Sequence, residues 1–188
     1  MTSFTQPPAS VLSERILMGD REAIASLYDE SLPRVHAYCE LVCPPERVQD
    51  AVRACFLDFL ARLELVGVSD AGLTSLLLKA TRSAAASRTV VAAPASQGPA
   101  SEVPSAGAVC WSMCELFAAQ ANGELPSENG LVEHLQHCPV CQLTRSRLSE
   151  AEHAFTQPPE DEAAQDVAGA SAAAEAKAEL LAIVADRT

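Results

Sequence analysis

Aromatic residues are scarce in this chain: one tryptophan, two tyrosines and five phenylalanines among 188 residues. Alanine supplies much of the apolar fraction, so a core must rest on leucine, valine and a few phenylalanines, each burying far more area than alanine does. Cations are also few, 13 lysines and arginines against 25 acids, for a net charge of −12. That balance argues against a general nucleic-acid binder, which would carry a basic patch. No stretch has the roughly 18 consecutive apolar residues of a membrane span. The opening "MTSFTQPPAS" lacks the basic-then-apolar pattern of a signal peptide. These absences predict a soluble, cytoplasmic protein with no membrane attachment. Alternation with a period of two is missing as well, which leaves an all-α fold, a small helical bundle.

Periodic stretches outline the organisation. Residues 9–88 form one helical unit. In it, Val11, Leu12, Ile16 and Leu17 recur at helical spacing, and so do Ala23, Ile24, Leu27 and Tyr28. "GDREA" reads as a break and restart, with Asp20 as the N-cap of a second helix. A third helix is expected to start near Pro33 and to stop at "CPP", residues 43–45. The next carries a stripe of Val48, Ala51, Val52, Cys55, Phe56, Phe59, Leu60 and Leu63, and "DAGLTSLLLKATRSAAASR" closes the unit. Residues 89–109 hold three prolines and two glycines among serines and alanines, the composition of a linker. A second compact unit covers 110–155, an acidic linker 156–170, and a C-terminal helix 171–187 with Leu180, Leu181, Ile183 and Val184 as its apolar side.

The chain has seven cysteines, and four of them lie in the second unit with a histidine. His134 and Cys138 are four apart, hence one turn apart on a helix face. Pro139 can open a new turn, and Cys141 completes a Cys-x2-Cys pair. Two sulfurs and an imidazole suit tetrahedral zinc, and a closed structural site needs a fourth ligand. Cys110 and Cys114 are the candidates, with His137 a weaker one. Packing as small buried hydrophobes is the alternative use of these cysteines. A unit with so few large apolar residues would hardly fold without a metal or cross-link. Catalysis is not expected: four protein ligands close a zinc site, and no His-Glu-x-x-His arrangement is present. His36 and Cys39 read as two residues on a helix surface and not as a base and nucleophile.

The stretch "CWSMCELFAAQANGELPSENGLVEHLQHCPVC" resembles the zinc-finger domain of zinc-binding anti-sigma factors over about forty residues. Aligned on Gly123-Glu124-Leu125, that family's first cysteine falls on Cys110. The resemblance thus implies a Zn2+ site of Cys110, His134, Cys138 and Cys141, with Cys114 an alternate ligand.

In the first unit, "GDREA", "LYDESLPRV" and "QDAVRACFLDFLARL" resemble region 2 of the extracytoplasmic-function group of bacterial sigma factors. In that family the last of these helices binds a coiled coil of RNA polymerase core, at positions matching Asp50, Val52, Phe56 and Leu57. The family grips promoter DNA further on, where this chain has Lys79, Arg82 and Arg88. The chain departs from the family in ways that matter. Arg53 and Ala54 stand where a Gln-Glu pair is usual, "LTSLLLKATRSAAASR" has no aromatic ring to stack on bases, and the arginine run is thin. A second DNA-reading domain is replaced by the zinc unit.

Together these resemblances imply a bacterial transcription regulator that acts by protein–protein contact. Its partner would be a separate sigma factor or its own sigma-like domain, and DNA binding would be weak or absent. Two other outcomes follow from the same motifs: a genuine but atypical sigma factor, or a thiol redox sensor controlling such a factor.

Overall fold

Helix α1, Leu12–Leu17, ends at Gly19, whose φ of 76° lies in the left-handed region. Gly19 and Asp20 donate back to the carbonyls of Ile16 and Arg15, which satisfies the helix end. Asp20 then caps α2, accepting from Glu22 N at 3.0 Å and Ala23 N at 3.2 Å, as the sequence predicts. At its other end α1 is capped from a distance: the Asp70 carboxylate accepts from Leu12 N and Ser13 N at 2.9 and 2.7 Å. The structure, a computed structural model, describes the backbone of residues 12–67, 69–89, 106–125, 131–157 and 167–185, and their side chains except 106–112, 131, 167–173 and 184.

Helix α2 runs unbroken from Arg21 to Val42, through Pro33. A separate third helix starting near Pro33 is therefore not formed. Leu27, Tyr28, Ser31, Val35, Tyr38 and Cys39 lie on one buried face that spans the proline, while Pro33 itself faces solvent. Water can serve the carbonyl that lacks its N–H partner, and burial on the opposite side holds the helix together. The "CPP" stop holds: α2 ends at Val42, and a short 3-10 turn at Pro45–Arg47 leads into α3, Val48–Val66. All eight positions of the expected α3 stripe are buried. Helix α4, Asp70–Ala86, lies against α3 and buries Leu73, Leu76, Leu77, Ala80 and Ala84.

The second half adds α5 (Ala106–Ala121), α6 (Leu131–His137), α7 (Pro139–Thr156) and α8 (Val167–Ala185). No described residue lies in a strand, so the described chain is all-α. Of the expected 89–109 linker, residues 90–105 lie outside the described residues and 106–109 already belong to α5. Helix α8 begins at Val167, inside the expected acidic linker, because "VAGASAAAEA" is rich in alanine, the strongest helix former. Of its expected apolar side, Leu180 is buried and Leu181 and Ile183 are partly covered, while the Val184 side chain lies outside the described residues.

The two halves share a core. Helix α7 packs lengthwise on α2, with Ala151 and Phe155 wholly buried and the Arg34 guanidinium 5.8 Å over the Phe155 ring. Phe117, Leu135, Cys141, Leu148 and Leu180 join the apolar cluster formed by α2, α3 and α4. No described helix is long and apolar enough to cross a membrane.

Candidate metal centre

The segment "HLQHCPVC" folds as a helix end and a helix start. His134 lies in the last turn of α6, Cys138 sits at the junction as N-cap residue of α7, and Pro139 takes the first helical position. Proline is suited there, since its fixed φ matches the helix and its missing N–H is not needed. Cys138 N donates to His134 O at 3.0 Å and Gln142 N donates to Cys138 O at 3.1 Å, so the junction is tightly folded. The Gln142 side chain clamps it further by donating to Leu135 O at 2.6 Å.

This geometry gathers the donor atoms of His134, Cys138 and Cys141 within 4.8 Å of one another, with His134 Nε2 3.1 Å from Cys141 Sγ. A tetrahedron with zinc-type bond lengths has edges of roughly 3.5–3.8 Å, so the three donors stand near ligand spacing. Cys141 is buried, and His134 and Cys138 are half-buried. Such a set can hold a metal ion. The side chain of the expected fourth ligand, Cys110, lies outside the described residues, although its backbone belongs to α5. Cys114 is not one of the three gathered donors; it is buried in α5 beside Ala86 and Ala118. His137 is exposed, its ring nitrogen 3.0 Å from Glu133 O.

The remaining cysteines of the first half belong to the core. Cys39 is buried and not on a helix surface, because it falls on the face of α2 that α3 and α4 cover. Its thiol is pushed well up by a hydrogen bond with Cys43 and by burial. His36 turns elsewhere, 3.3 Å from the Gln49 side chain and 3.5 Å from Glu40. Burial raises the Cys55 thiol to about 12, and its sulfur lies 3.1 Å from the Thr81 hydroxyl, which donates to Leu77 O at 2.8 Å.

The residues expected at macromolecular contacts take diverse places. Val52 and Phe56 are core residues, and Phe56 packs on Tyr28 with ring centroids 4.4 Å apart. Asp50 is exposed and pairs with Arg47 at 3.6 Å, while Leu57 is half-buried beside α8. Arg82 turns inward: it donates to Glu152 at 2.8 Å, to Ala121 O at 3.1 Å and to Asn122 at 3.3 Å. Arg88 folds back on its own helix end, donating to Ala84 O at 3.0 Å. Lys79 lends its backbone carbonyl to Asn122.

Sequence reasoning passed over the polar seam between the halves. Asn122 is buried just past α5 and donates to both Lys79 O and Ser83 Oγ at 3.3 Å. Gly123, with φ 74°, and Glu124 donate back to Gln120 O and Ala119 O, and this turn aims Glu124 at Arg62. Arg62 in turn binds Asp58 at 2.7 Å, Glu124 at 3.0 Å and Ser83 at 3.0 Å. The signal present in the sequence was the "NGE" turn itself, a helix-ending glycine followed by an acid. Comparison with protein-family models, with curated proteins and with solved structures finds no match to this chain.

Proposed function

We propose that this protein regulates bacterial transcription by protein–protein contact. In this reading a degenerate sigma-like helical unit is held in check by a zinc-binding, anti-sigma-like module of the same chain. The observation that carries it is the packing of α7, which starts at the metal donors and runs along α2 with Phe155 and Ala151 fully buried. A module that sequesters helices by helix-on-helix burial would make this kind of contact. The inward turn of Arg82 supports the same reading, since a cation paired with Glu152 is unavailable to phosphates.

Zinc is the metal this donor set suits best, two thiolates and an imidazole from His134, Cys138 and Cys141, with Cys110 as the fourth. Its role would be structural: to fix the α6–α7 junction and so the direction in which α7 leaves it. Pull-down of the intact protein with and without a chelator, followed by run-off transcription with RNA polymerase, tests the proposal. The expected result is no promoter-specific initiation by the zinc-loaded protein. Promoter-specific initiation by that form would establish an atypical sigma factor instead.

A further inference from the structure

Helix α8 is seated on the groove between α2 and α3. Among the described side chains of α8, Leu180, 4% exposed, is the deepest buried and lies against Tyr28, Phe56 and Leu57, with Leu181 partly buried against the same core. Two ion pairs bracket that leucine. Lys177 Nζ reaches the Asp29 carboxylate at 2.7 Å on α2, and Glu179 pairs with Arg53 on α3. All four charged partners keep a quarter or more of their side-chain surface in water. Helix α7, by contrast, buries Cys141, Leu148, Ala151 and Phe155 and adds the inward Arg82–Glu152 pair.

The groove therefore has the parts of a recognition site. An apolar floor of Tyr28, Phe56 and Leu57 takes a leucine, an anion at Asp29 takes a lysine, and a cation at Arg53 takes a glutamate. A leucine anchor flanked by partly exposed charges gives specificity, while the exposed ion pairs themselves add little hold. We infer that the α2–α3 groove is a helix-binding surface that α8 fills in cis, and that it accepts in trans a partner helix of the same chemistry. That partner presents a leucine directly after an acid, with a basic residue two positions before the acid. Binding in trans requires α8 to leave, so α8 sets the affinity by its own occupancy. Phe56 and Leu57 are also positions at which the sigma resemblance expects a polymerase contact, but the inference rests on the seating of α8 alone and does not depend on that reading or on the metal.

The test uses the full-length chain and a fluorescein-labelled peptide of residues 167–185 as probe, with fluorescence anisotropy as readout. Leu180→Asp in the chain vacates the groove, and the peptide is expected to bind this variant at least about tenfold more tightly than wild type, in which α8 competes. A second vacating variant, Lys177→Glu with Glu179→Arg, keeps the leucine and changes only partly exposed positions, so it guards against misfolding of the first. Adding Arg53→Glu to the Leu180→Asp chain is expected to abolish binding, and a peptide carrying Glu179→Arg is expected to restore it. Equal affinity for wild-type and vacated chains overturns the inference, as does binding indifferent to Arg53→Glu. A wild-type dimer that Leu180→Asp dissociates also overturns it, since α8 would then be exchanged between copies.

Discussion

Phe155→Ala measures whether the two halves of the chain share one core. The ring is wholly buried between α7 and α2, under the Arg34 guanidinium. Truncating a buried phenylalanine costs about 3–5 kcal/mol through lost transfer energy and the cavity left behind. Alanine's better helix propensity returns roughly half a kcal/mol, and the freed Arg34 regains some hydration, which favours the low end. The expected net loss is about 3 kcal/mol. For a chain of this length that corresponds to a fall in Tm of roughly 6–12 °C. Urea unfolding should be followed by far-UV circular dichroism and by the fluorescence of Trp111, the one tryptophan. Both transitions should shift together, since Trp111 reports on the second half while helices of both halves contribute to the circular dichroism. Leu143→Ala on the same helix, at a position 56% exposed, should change stability by no more than about 0.5 kcal/mol. The reasoning fails if Phe155→Ala behaves like Leu143→Ala, or if the fluorescence transition moves earlier while the circular dichroism splits into two steps. The second outcome would mean that the half carrying the His134–Cys138–Cys141 donors unfolds alone.

Three further outcomes follow from the structure. Arg82→Met should destabilise by about 1–2 kcal/mol, because it leaves Glu152 half-buried and the Ala121 carbonyl without its donor; Arg82→Met with Glu152→Met should cost less than the two singles summed, as denaturation of the four species would reveal. Asp20 is held below the usual carboxylate range chiefly by Arg15 and Asp70 chiefly by the Ser13 amide, so each stabilises the fold above its unfolded pKa and loses that effect as pH falls through its lower folded value. The Tm deficit of Asp20→Asn with Asp70→Asn, clear at pH 7, should accordingly narrow below about pH 4 in a series of thermal melts. Zinc should raise the Tm of the wild-type chain, by the equivalent of about 4 kcal/mol at a thousandfold excess over Kd, and chelator should reverse it. Cys141→Ser should lose most of that gain, whereas Cys114→Ala should keep a stoichiometry of one in a metal-content assay.

What could be read in advance was whatever is encoded locally. The α3 stripe emerged whole because its apolar residues repeat at three and four along one helix, and burial of one face is all that such a pattern requires. The Asp20 cap and the Cys138–Pro139 junction were equally legible, since each acts on backbone groups a few residues away. Pro33 misled for the opposite reason. Local chemistry says stop, while a core on the far side of the helix, built from residues as distant as Phe155, says continue. Arg82 shows the same limit at a candidate site. Its position after a leucine-rich helix fits a phosphate contact and an internal strut alike, and only the arrival of Glu152, seventy residues later, decides between them.

The metal donors acquire their meaning from that distant packing. His134 lies in the last turn of one helix, Cys138 at the junction and Cys141 in the first turn of the next, so anything that holds the three together fixes the angle between α6 and α7. Over the 18 residues of α7, about 27 Å at 1.5 Å per residue, a small angular error at Cys138 grows into a displacement of several ångströms at Phe155. A close-packed seat for that ring on α2 tolerates no such displacement. Loosening the junction should therefore be felt first at the far end of α7, where Arg34 covers Phe155 and Glu152 meets Arg82, before the α2–α3–α4 core is disturbed. Hydrogen exchange of α7 amides in the chelated and zinc-loaded protein would reveal this order. Protection lost along α7 while α3 stays protected is the pattern a lever anchored at the metal produces, and uniform loss across both helices would rule the lever out.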